Sequence, residues 1–241
     1  MNGLIALLGS GEYLPVMDDV DRYLLANCGA VDRRPRVVCL PTAAGDEGPK
    51  SVSRWSAMGV EHFTRLGADA LAVPVINKAS ANEQAHAAAV ENADLIYFSG
   101  GDPGYLYRTL KDSLVWQAAL KAWGRGAVYA GCSAGAMILG TEMPDFRAMG
   151  IRSMSAFGLI PVSSVMPHFD ALPLFGKPLV ATLRRRLDPH EIMIGIDEDT
   201  AIVGRLGEKW TVMGRSRAHV FSRESVHVYA AGESFSLEVR P

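Results

Sequence analysis

A serine held between glycines is the strongest chemical signal in this chain of 241 residues. The segment from Gly131 to Gly135 reads GCSAG, which fits the G-x-S-x-G pattern of a nucleophile elbow. An apolar strand runs into it and a helix of small residues leaves it, as a sharp strand-to-helix turn requires. We expect Ser133 at the tip of that turn, with its hydroxyl clear of the sheet. Cys132, the rival nucleophile, faces away from the tip in this pattern and is expected to pack in the core.

A serine nucleophile needs a general base, and His168 is the best candidate. It follows an apolar run and a proline in SSVMPHFDALP, a strand-end setting from which a site at the carboxyl edge of a sheet is built. The other histidines lie in or beside predicted helices or in late strands: His62, His86, His190, His219 and His227. We expect the first three to be surface or partly buried, and the last two to pack or face solvent.

The base in turn needs a carboxylate to fix its tautomer and stabilise the imidazolium. The acidic residues close to the predicted site are Glu142, Asp145, Asp170, Asp197, Glu198 and Asp199. The last three interrupt an apolar strand pattern in IMIGIDEDTAIV, which is costly unless the acids are paired or hydrogen-bonded. That cost directs attention to this segment, although the pattern does not choose among its three acids.

Two other glycine turns follow apolar strands. In YFSGGDPGYLY, Gly100 and Gly101 leave room for a backbone amide to face a neighbouring site, as an oxyanion donor must. The same turn is typical of an ordinary start of a helix, with Asp102 as N-cap and Pro103 in the first turn. GSGE near the N-terminus lacks the third glycine and the lysine of a phosphate-binding loop, so nucleotide binding is not expected.

Short apolar runs that alternate with helical patterns must position these residues. Five apolar runs read as buried strands: GLIALLG, RVVCLPTAAG, ALAVPVI, DLIYFSGG and AVYAGCS. Helices are predicted between them, among them one from Ser53 to Leu66, one beginning after a capping Asn82 and one from Tyr105 to Trp123. This alternation predicts an α/β three-layer sandwich with a mostly parallel central sheet flanked by helices. The strands after about residue 190 are expected to lie antiparallel at the edge of that sheet, in a single domain over residues 1–241.

Composition excludes several classes of function. The 24 basic and 26 acidic residues nearly balance, so neither nucleic acid nor an anionic membrane is an expected partner. The apolar N-terminus is too short to span a bilayer and has no basic segment before it. Three widely spaced cysteines predict no disulfide framework and favour a cytoplasmic protein. The predicted chemistry needs no metal and no cofactor.

Taken together, the motifs resemble the serine peptidases that include aspartyl dipeptidase (dipeptidase E) and cyanophycinase, which have a class I glutamine-amidotransferase-like fold. The resemblance runs from LLGSGEY through PTAAG, FSGGD, GCSAGA and PHF to GIDEDTA. It implies a Ser-His-Glu triad of Ser133, His168 and Glu198, with backbone amides of Gly101 and Ala134 as the oxyanion hole. The order serine, histidine, glutamate differs from that of α/β-hydrolases, whose acid precedes the histidine.

The resemblance also implies a substrate class. PHFDALPLF stands where cyanophycinase-like sequences carry glutamine and arginine, which favours a dipeptidase-type enzyme acting on a small peptide. An acidic substrate side chain would need a cation, for which Arg108, Arg147 and Arg152 are candidates. An esterase or acyl-transfer enzyme with the same triad and a non-catalytic binding module are the alternatives, whereas a glutamine amidotransferase would need a cysteine at position 133. The residues leave a homodimer open.

Overall fold

The computed structural model of the chain describes residues 2–144, 153–172 and 176–237. The strands in these ranges are β1 Ile5–Leu8, β2 Arg36–Leu40, β3 Asp69–Ala72, β4 Leu95–Phe98, β5 Val128–Cys132, β6 Glu142–Pro144, β7 Ser153–Ser155, β8 Ser164–Met166, β9 Met193–Ile196, β10 Thr200–Gly204, β11 Lys209–Gly214, β12 Arg217–Phe221, β13 Val226–Ala230 and β14 Ser234–Ser236. The α-helices are α1 Asp18–Ala26, α2 Pro49–Arg65, α3 Gln84–Glu91, α4 Pro103–Leu110, α5 Leu114–Arg125, α6 Ala134–Met137 and α7 Gly176–Arg186.

The continuous apolar strands form the parallel half of an eight-stranded sheet, in the order β14-β11-β10-β1-β5-β4-β2-β3. The five strands from β1 to β3 in this order pair in parallel. The side chains of β1, β4 and β5, and those of β2 after Arg36, are buried on both faces because helices cover both, which is why these strands read as unbroken apolar runs. β3, at the edge of the sheet, is exposed or half-buried. The predicted three-layer α/β sandwich is confirmed.

Alternate residues of each strand enter different cores. Ile5 and Leu7 of β1 pack with residues of α3 and α5 on one face of the sheet. Ala6 and Leu8 pack with residues of α1 and α2 on the other face. This period of two is what a strand buried on both sides requires.

The late strands are divided between two sheets, so their prediction as one sheet edge was partly wrong. β10, β11 and β14 extend the central sheet in antiparallel fashion. β12 and β13 instead join β8 and β9 in a four-stranded sheet, in the order β13-β12-β9-β8, within which β8 and β9 are parallel. The three acids of the IDEDT segment separate β9 from β10, and there the chain crosses from one sheet to the other.

Two helix predictions need correction. The stretch from Tyr105 to Trp123 is two helices, because Asp112 takes a left-handed φ of 54° and the Ser113 hydroxyl then caps α5 by accepting from the amide of Trp116 at 3.1 Å. Asn82 does not cap α3, since its side-chain oxygen accepts from the amide of Leu114 at 3.2 Å. Among the described residues, no helix has both the length and the apolar character needed to cross a membrane. The single domain over residues 1–241 stays a prediction.

Candidate active site

Three glycine turns meet at one edge of the central sheet. β1, β5 and β4 are neighbours, with Leu8 opposite Cys132 and Phe98 opposite Gly131. The turns GSGE, CSAG and SGGD follow the carboxyl ends of these strands. In parallel sheets this edge is where ligands bind.

The turn at Ser133 has the strained geometry of a nucleophile elbow. Ser133 has φ 49° and ψ −105°, a conformation that costs of order 1–3 kcal/mol and persists only when its surroundings enforce it. A Cβ on Gly131 would lie 2.3 Å from the carbonyl oxygen of Gly135, so the close approach requires glycine. The Ser133 amide donates to Leu8 O at 3.0 Å, and the Tyr129 hydroxyl donates to Gly135 O at 2.7 Å. The turn is therefore fixed from both sides.

His168 reaches Ser133 from the second sheet. It follows β8, has a left-handed φ of 51°, and its amide donates to Gly9 O at 3.3 Å. Its Nε2 lies 3.2 Å from Ser133 Oγ. The predicted nucleophile and base are thus in hydrogen-bond contact.

Glu198 completes the constellation, two residues after β9 ends. Its Oε1 lies 2.9 Å from His168 Nδ1. Because a carboxylate only accepts, this contact assigns the proton of a neutral His168 to Nδ1 and leaves Nε2 as an acceptor for the serine hydroxyl. Asp170 Oδ1 accepts from the amide of Glu198 at 2.8 Å, so Asp170 holds the turn that carries Glu198.

The neighbouring acids of this turn are engaged elsewhere. Asp197 is buried and accepts from the Ser216 hydroxyl at 2.7 Å, and His219 Nε2 lies 3.0 Å from its other oxygen. Asp199 forms an ion pair with Arg215 at 3.0 Å. The three acids are therefore paired, as their position required, and of the three Glu198 is the one that contacts His168.

Of the two remaining acid candidates, the structure describes only Glu142, which contacts Ser163. Glu142 Oε1 accepts from the Ser163 hydroxyl at 3.4 Å. Asp145 lies outside the described residues.

The amides of Gly101 and Ala134 donate no hydrogen bond to a group in the described residues. Gly101 has φ 141° and packs so tightly that a Cβ would lie 2.4 Å from Ala43 O. Its neighbour Asp102 donates its amide to that same carbonyl at 2.9 Å and caps α4 through its side chain, as predicted. Two free amides therefore flank the serine, one in the residue after it and one in the adjacent turn.

Cys132 is an inert thiol in this structure. It is fully buried, and burial, followed by the nearby Glu12 carboxyl, raises the pKa of the thiol well above its ordinary value. Since the thiolate is the nucleophilic form, this environment opposes catalysis by Cys132. Cys28, Cys39 and Cys132 are all free and buried.

The remaining histidines have other partners. His62 is buried, which the prediction of a surface or partly buried residue missed, and its Nε2 lies 2.8 Å from Asp21 Oδ2. His86 Nδ1 contacts Ser80 O at 2.9 Å. His190 and His227 are exposed.

Sequence reasoning missed Glu12, in the GSGE turn. Its Oε1 accepts from the amide of Gly100 at 2.9 Å, and its Oε2 accepts from the Cys132 thiol at 3.0 Å. The signal was an acidic residue in a glycine turn directly after a buried strand. The rest of the turn contacts the backbone of His168 and of the segment that carries Glu198: Gly9 accepts from the amide of His168, and the Ser10 hydroxyl accepts from the amide of Asp199 at 3.1 Å.

Of the candidate cations, Arg108 lies beside the glycine turn. A Cβ on Gly104 would lie 3.0 Å from Arg108 Nη1 and 3.3 Å from Asp102 Oδ1. Arg147 and Arg152 lie outside the described residues. In the ranges that the structure describes, no group of three or more His, Cys, Asp or Glu side chains could hold a metal ion.

Comparison with known proteins gives a consistent family. A model of peptidase family S51 matches residues 5–211. Peptidase E of Escherichia coli K12 / DH10B is 28% identical over 153 residues, which are 61% of this chain and 63% of the relative. Peptidase E of Shigella boydii serotype 18 gives the same values. The chain thus spans 63% of the length of the curated relatives it matches.

Two solved structures extend the likeness to the fold. A peptidase from an acI-B1 Actinobacterium superposes with a TM-score of 0.87 at 37% identity, covering 98% of both chains. A protein assigned to peptidase E from Listeria monocytogenes EGD-e gives 0.64 at 20% identity, covering 90% of this chain and 100% of the other, a likeness of fold alone. The chain belongs to peptidase family S51.

Proposed function

We propose that this chain is a serine peptidase that hydrolyses a peptide or isopeptide-like amide bond of a small substrate, with Ser133, His168 and Glu198 as its catalytic triad. The observation that carries the proposal is the position of His168. One ring nitrogen lies 3.2 Å from the serine hydroxyl and the other 2.9 Å from a carboxylate. These are the contacts of an activated nucleophile, its base and the group that orients the base.

The reaction runs in two halves. Ser133 Oγ attacks the substrate carbonyl carbon while His168 Nε2 takes the hydroxyl proton, and the tetrahedral intermediate collapses when His168 gives that proton to the leaving amine. Water then attacks the acyl-enzyme, with His168 again as base, and releases the acid and the free serine. Glu198 stabilises the imidazolium that forms in each half.

The free amides of Gly101 and Ala134 are proposed to bind the oxyanion. Gly101 suits this role because its turn is held by Ala43 and cannot accept a side chain. Such a preorganised donor contributes about 100-fold or more to turnover.

A dipeptidase-type activity on small peptides is favoured by the resemblance of PHFDALPLF to the dipeptidase pattern, and the relatives named peptidase E support a peptidase. Arg108 is proposed to meet an acidic substrate side chain at the edge of the site. Three free, buried cysteines support a reducing, cytoplasmic location.

A fluorophosphonate probe tests the proposal directly. The purified protein should form an adduct on Ser133, located by mass spectrometry, that disappears in Ser133→Ala and in His168→Ala. Ser133→Ala should fold normally and lose peptidase activity by at least about 10⁴-fold. Equal labelling of the parent and Ser133→Ala would exclude the assignment, and turnover of short acyl esters but of no dipeptide would indicate an esterase.

A further inference from the structure

Glu12 is a carboxylate beside the nucleophile for which the proposed reaction has no use. It lies in the turn after β1 and is partly exposed, while its neighbours Gly11 and Tyr13 are buried. Both neighbours have positive φ, 84° and 64°, and the Tyr13 ring packs on Tyr97 with centroids 4.9 Å apart. The backbone on either side of Glu12 is therefore held in place.

The Glu12 carboxylate lies close to the reacting hydroxyl. A Cβ on Gly100 would lie 2.8 Å from Glu12 Oε1 and 3.8 Å from Ser133 Oγ, so both oxygens border the same small space beside Gly100. Each Glu12 oxygen accepts one protein hydrogen bond, from Gly100 and from Cys132. A carboxylate oxygen can accept two, so each oxygen of this half-buried residue keeps one acceptor position.

The other acids of the site have protein partners that occupy them. Glu198 contacts His168, Asp170 accepts from the Glu198 amide, and Asp199 is paired with Arg215. In the described part of the chain, Glu12 has no cationic partner at 4.0 Å or less. A cation supplied by the substrate would complete it.

We propose that Glu12 is a specificity-determining residue that binds the free α-ammonium group of the substrate residue whose carbonyl is attacked. The inference rests on the proposed function of Ser133. In any peptide the α-nitrogen is only about 2.5 Å from the carbonyl carbon of its own residue, through one Cα. A carbonyl carbon positioned for attack by Ser133 therefore brings its α-ammonium to the side of the site where a carboxylate can accept from it.

The negative charge is what separates this role from a purely structural one. An uncharged glutamine oxygen could accept from the Gly100 amide as well as Glu12 does. A carboxylate adds attraction for a cation and would select unblocked N-termini over acylated ones. The enzyme would then remove residues from the amino end of short peptides.

The test compares one substrate in two forms. The best dipeptide from a library screen is assayed with its α-amine free and with that amine acetylated, on the parent, Glu12→Gln, Glu12→Asp and the exposed control Glu224→Gln. The rate of Ser133 labelling by the fluorophosphonate probe is measured on all four. We expect the parent to prefer the free amine by at least about 10-fold.

In Glu12→Gln, kcat/KM for the free amine should fall about 10- to 100-fold, while the labelling rate changes little and the preference for the free amine disappears. Glu12→Asp should keep part of the preference because it keeps the charge. Equal losses on both substrate forms, or no loss, would overturn the proposal. Equal rates of the parent on the two forms would overturn it without any variant. Absence of a Ser133 adduct in the parent would instead overturn the proposed function, and this inference with it.

Discussion

Two histidine–carboxylate pairs in this protein have nearly the same length and opposite surroundings. His168 and Glu198 are 2.9 Å apart at the carboxyl edge of the sheet, and their side chains are 43% and 40% exposed. His62 and Asp21 are 2.8 Å apart between α1 and α2, and their side chains are 2% and 0% exposed. Pairing with a carboxylate is therefore common to both, and does not by itself make a histidine a catalytic base.

The second ring nitrogen makes the difference. His62 Nδ1 lies 3.1 Å from Arg65 Nη2, and arginine can only donate, so this nitrogen accepts and is fully used. His168 Nε2 faces the Ser133 hydroxyl instead, in a site that substrate can enter. A base needs both the orienting carboxylate and a reacting group on its other side. Three predictions probe this contrast.

Removal of charge from each carboxylate should have the largest and most divergent effects. Glu198→Gln keeps the shape of the side chain but no longer fixes the reactive tautomer, so kcat/KM should fall on the order of 10⁴-fold. The thermal midpoint of unfolding should change little because the pair is exposed. The matched variant Asp21→Asn should show the reverse: altered stability with unchanged activity per folded molecule. Similar activity losses in the two variants would remove the distinction.

Truncation of the buried histidine should affect stability alone. His62→Ala leaves Asp21 buried without its partner and should lower the free energy of unfolding by about 3–5 kcal/mol at pH 8. Burial already raises the pKa of Asp21, opposed by its hydrogen bond to His62. Loss of His62 raises the folded-state pKa of Asp21 further. A raised carboxyl pKa costs no stability below the unfolded pKa, and the cost grows as the pH rises from the unfolded pKa to the folded one.

Urea unfolding of His62→Ala should therefore show a smaller deficit at pH 5 than at pH 8. The exposed His190→Ala serves as the control and should match the parent at both values. A deficit that grows on acidification would contradict the assigned role of Asp21.

Substitution of Asp18, which lies beside the buried His62–Asp21 pair, should have the smallest effect on stability. Hydrogen bonds from Arg65, at 2.7 Å to each oxygen, hold the pKa of the Asp18 carboxyl below its ordinary value of 3.8. A lowered carboxyl pKa contributes stability that is fully present above the unfolded pKa and is lost as the pH falls through the folded one. Asp18→Asn should therefore be slightly less stable than the parent at pH 7, and the difference should be smaller at pH 3. Urea midpoints at the two pH values measure this, and a difference independent of pH would mean that the ion pair contributes nothing.

Local pattern was enough to predict the parallel half of the fold. Strands such as β4 and β5 are buried on both faces, so their composition carries the signal by itself. The partition of the late strands was not predictable in this way. Whether β12 pairs beside β9 or beside β11 depends on contacts between distant segments, and the alternation of residues looks the same in both cases.

The site was predictable where chemistry leaves a local mark. Ser133 is marked by its glycines, and Glu198 by the cost of an acid in an apolar run, although only the resemblance selected it from its neighbours. The mark on Glu12 is weaker, because the glycine turn does not reveal its contact with the amide of Gly100, in the turn after β4. His62 was misjudged for the same reason: its partner Asp21 lies 41 positions away on another helix.

The chain crosses between the two sheets at the turn that carries Glu198, so the order in which its segments are synthesised determines when the proposed catalytic site can form. β1 is made first, yet one of its two edges pairs only with β10, which directly follows the turn that carries Glu198. A nascent chain that ends before this turn already contains Ser133 and His168 but has neither the acid nor the strand that brings the acid to them. On the proposed mechanism, the nascent chain gains activity only after Glu198 and β10 have been made, and the same pairing that completes the sheet completes the proposed catalytic site.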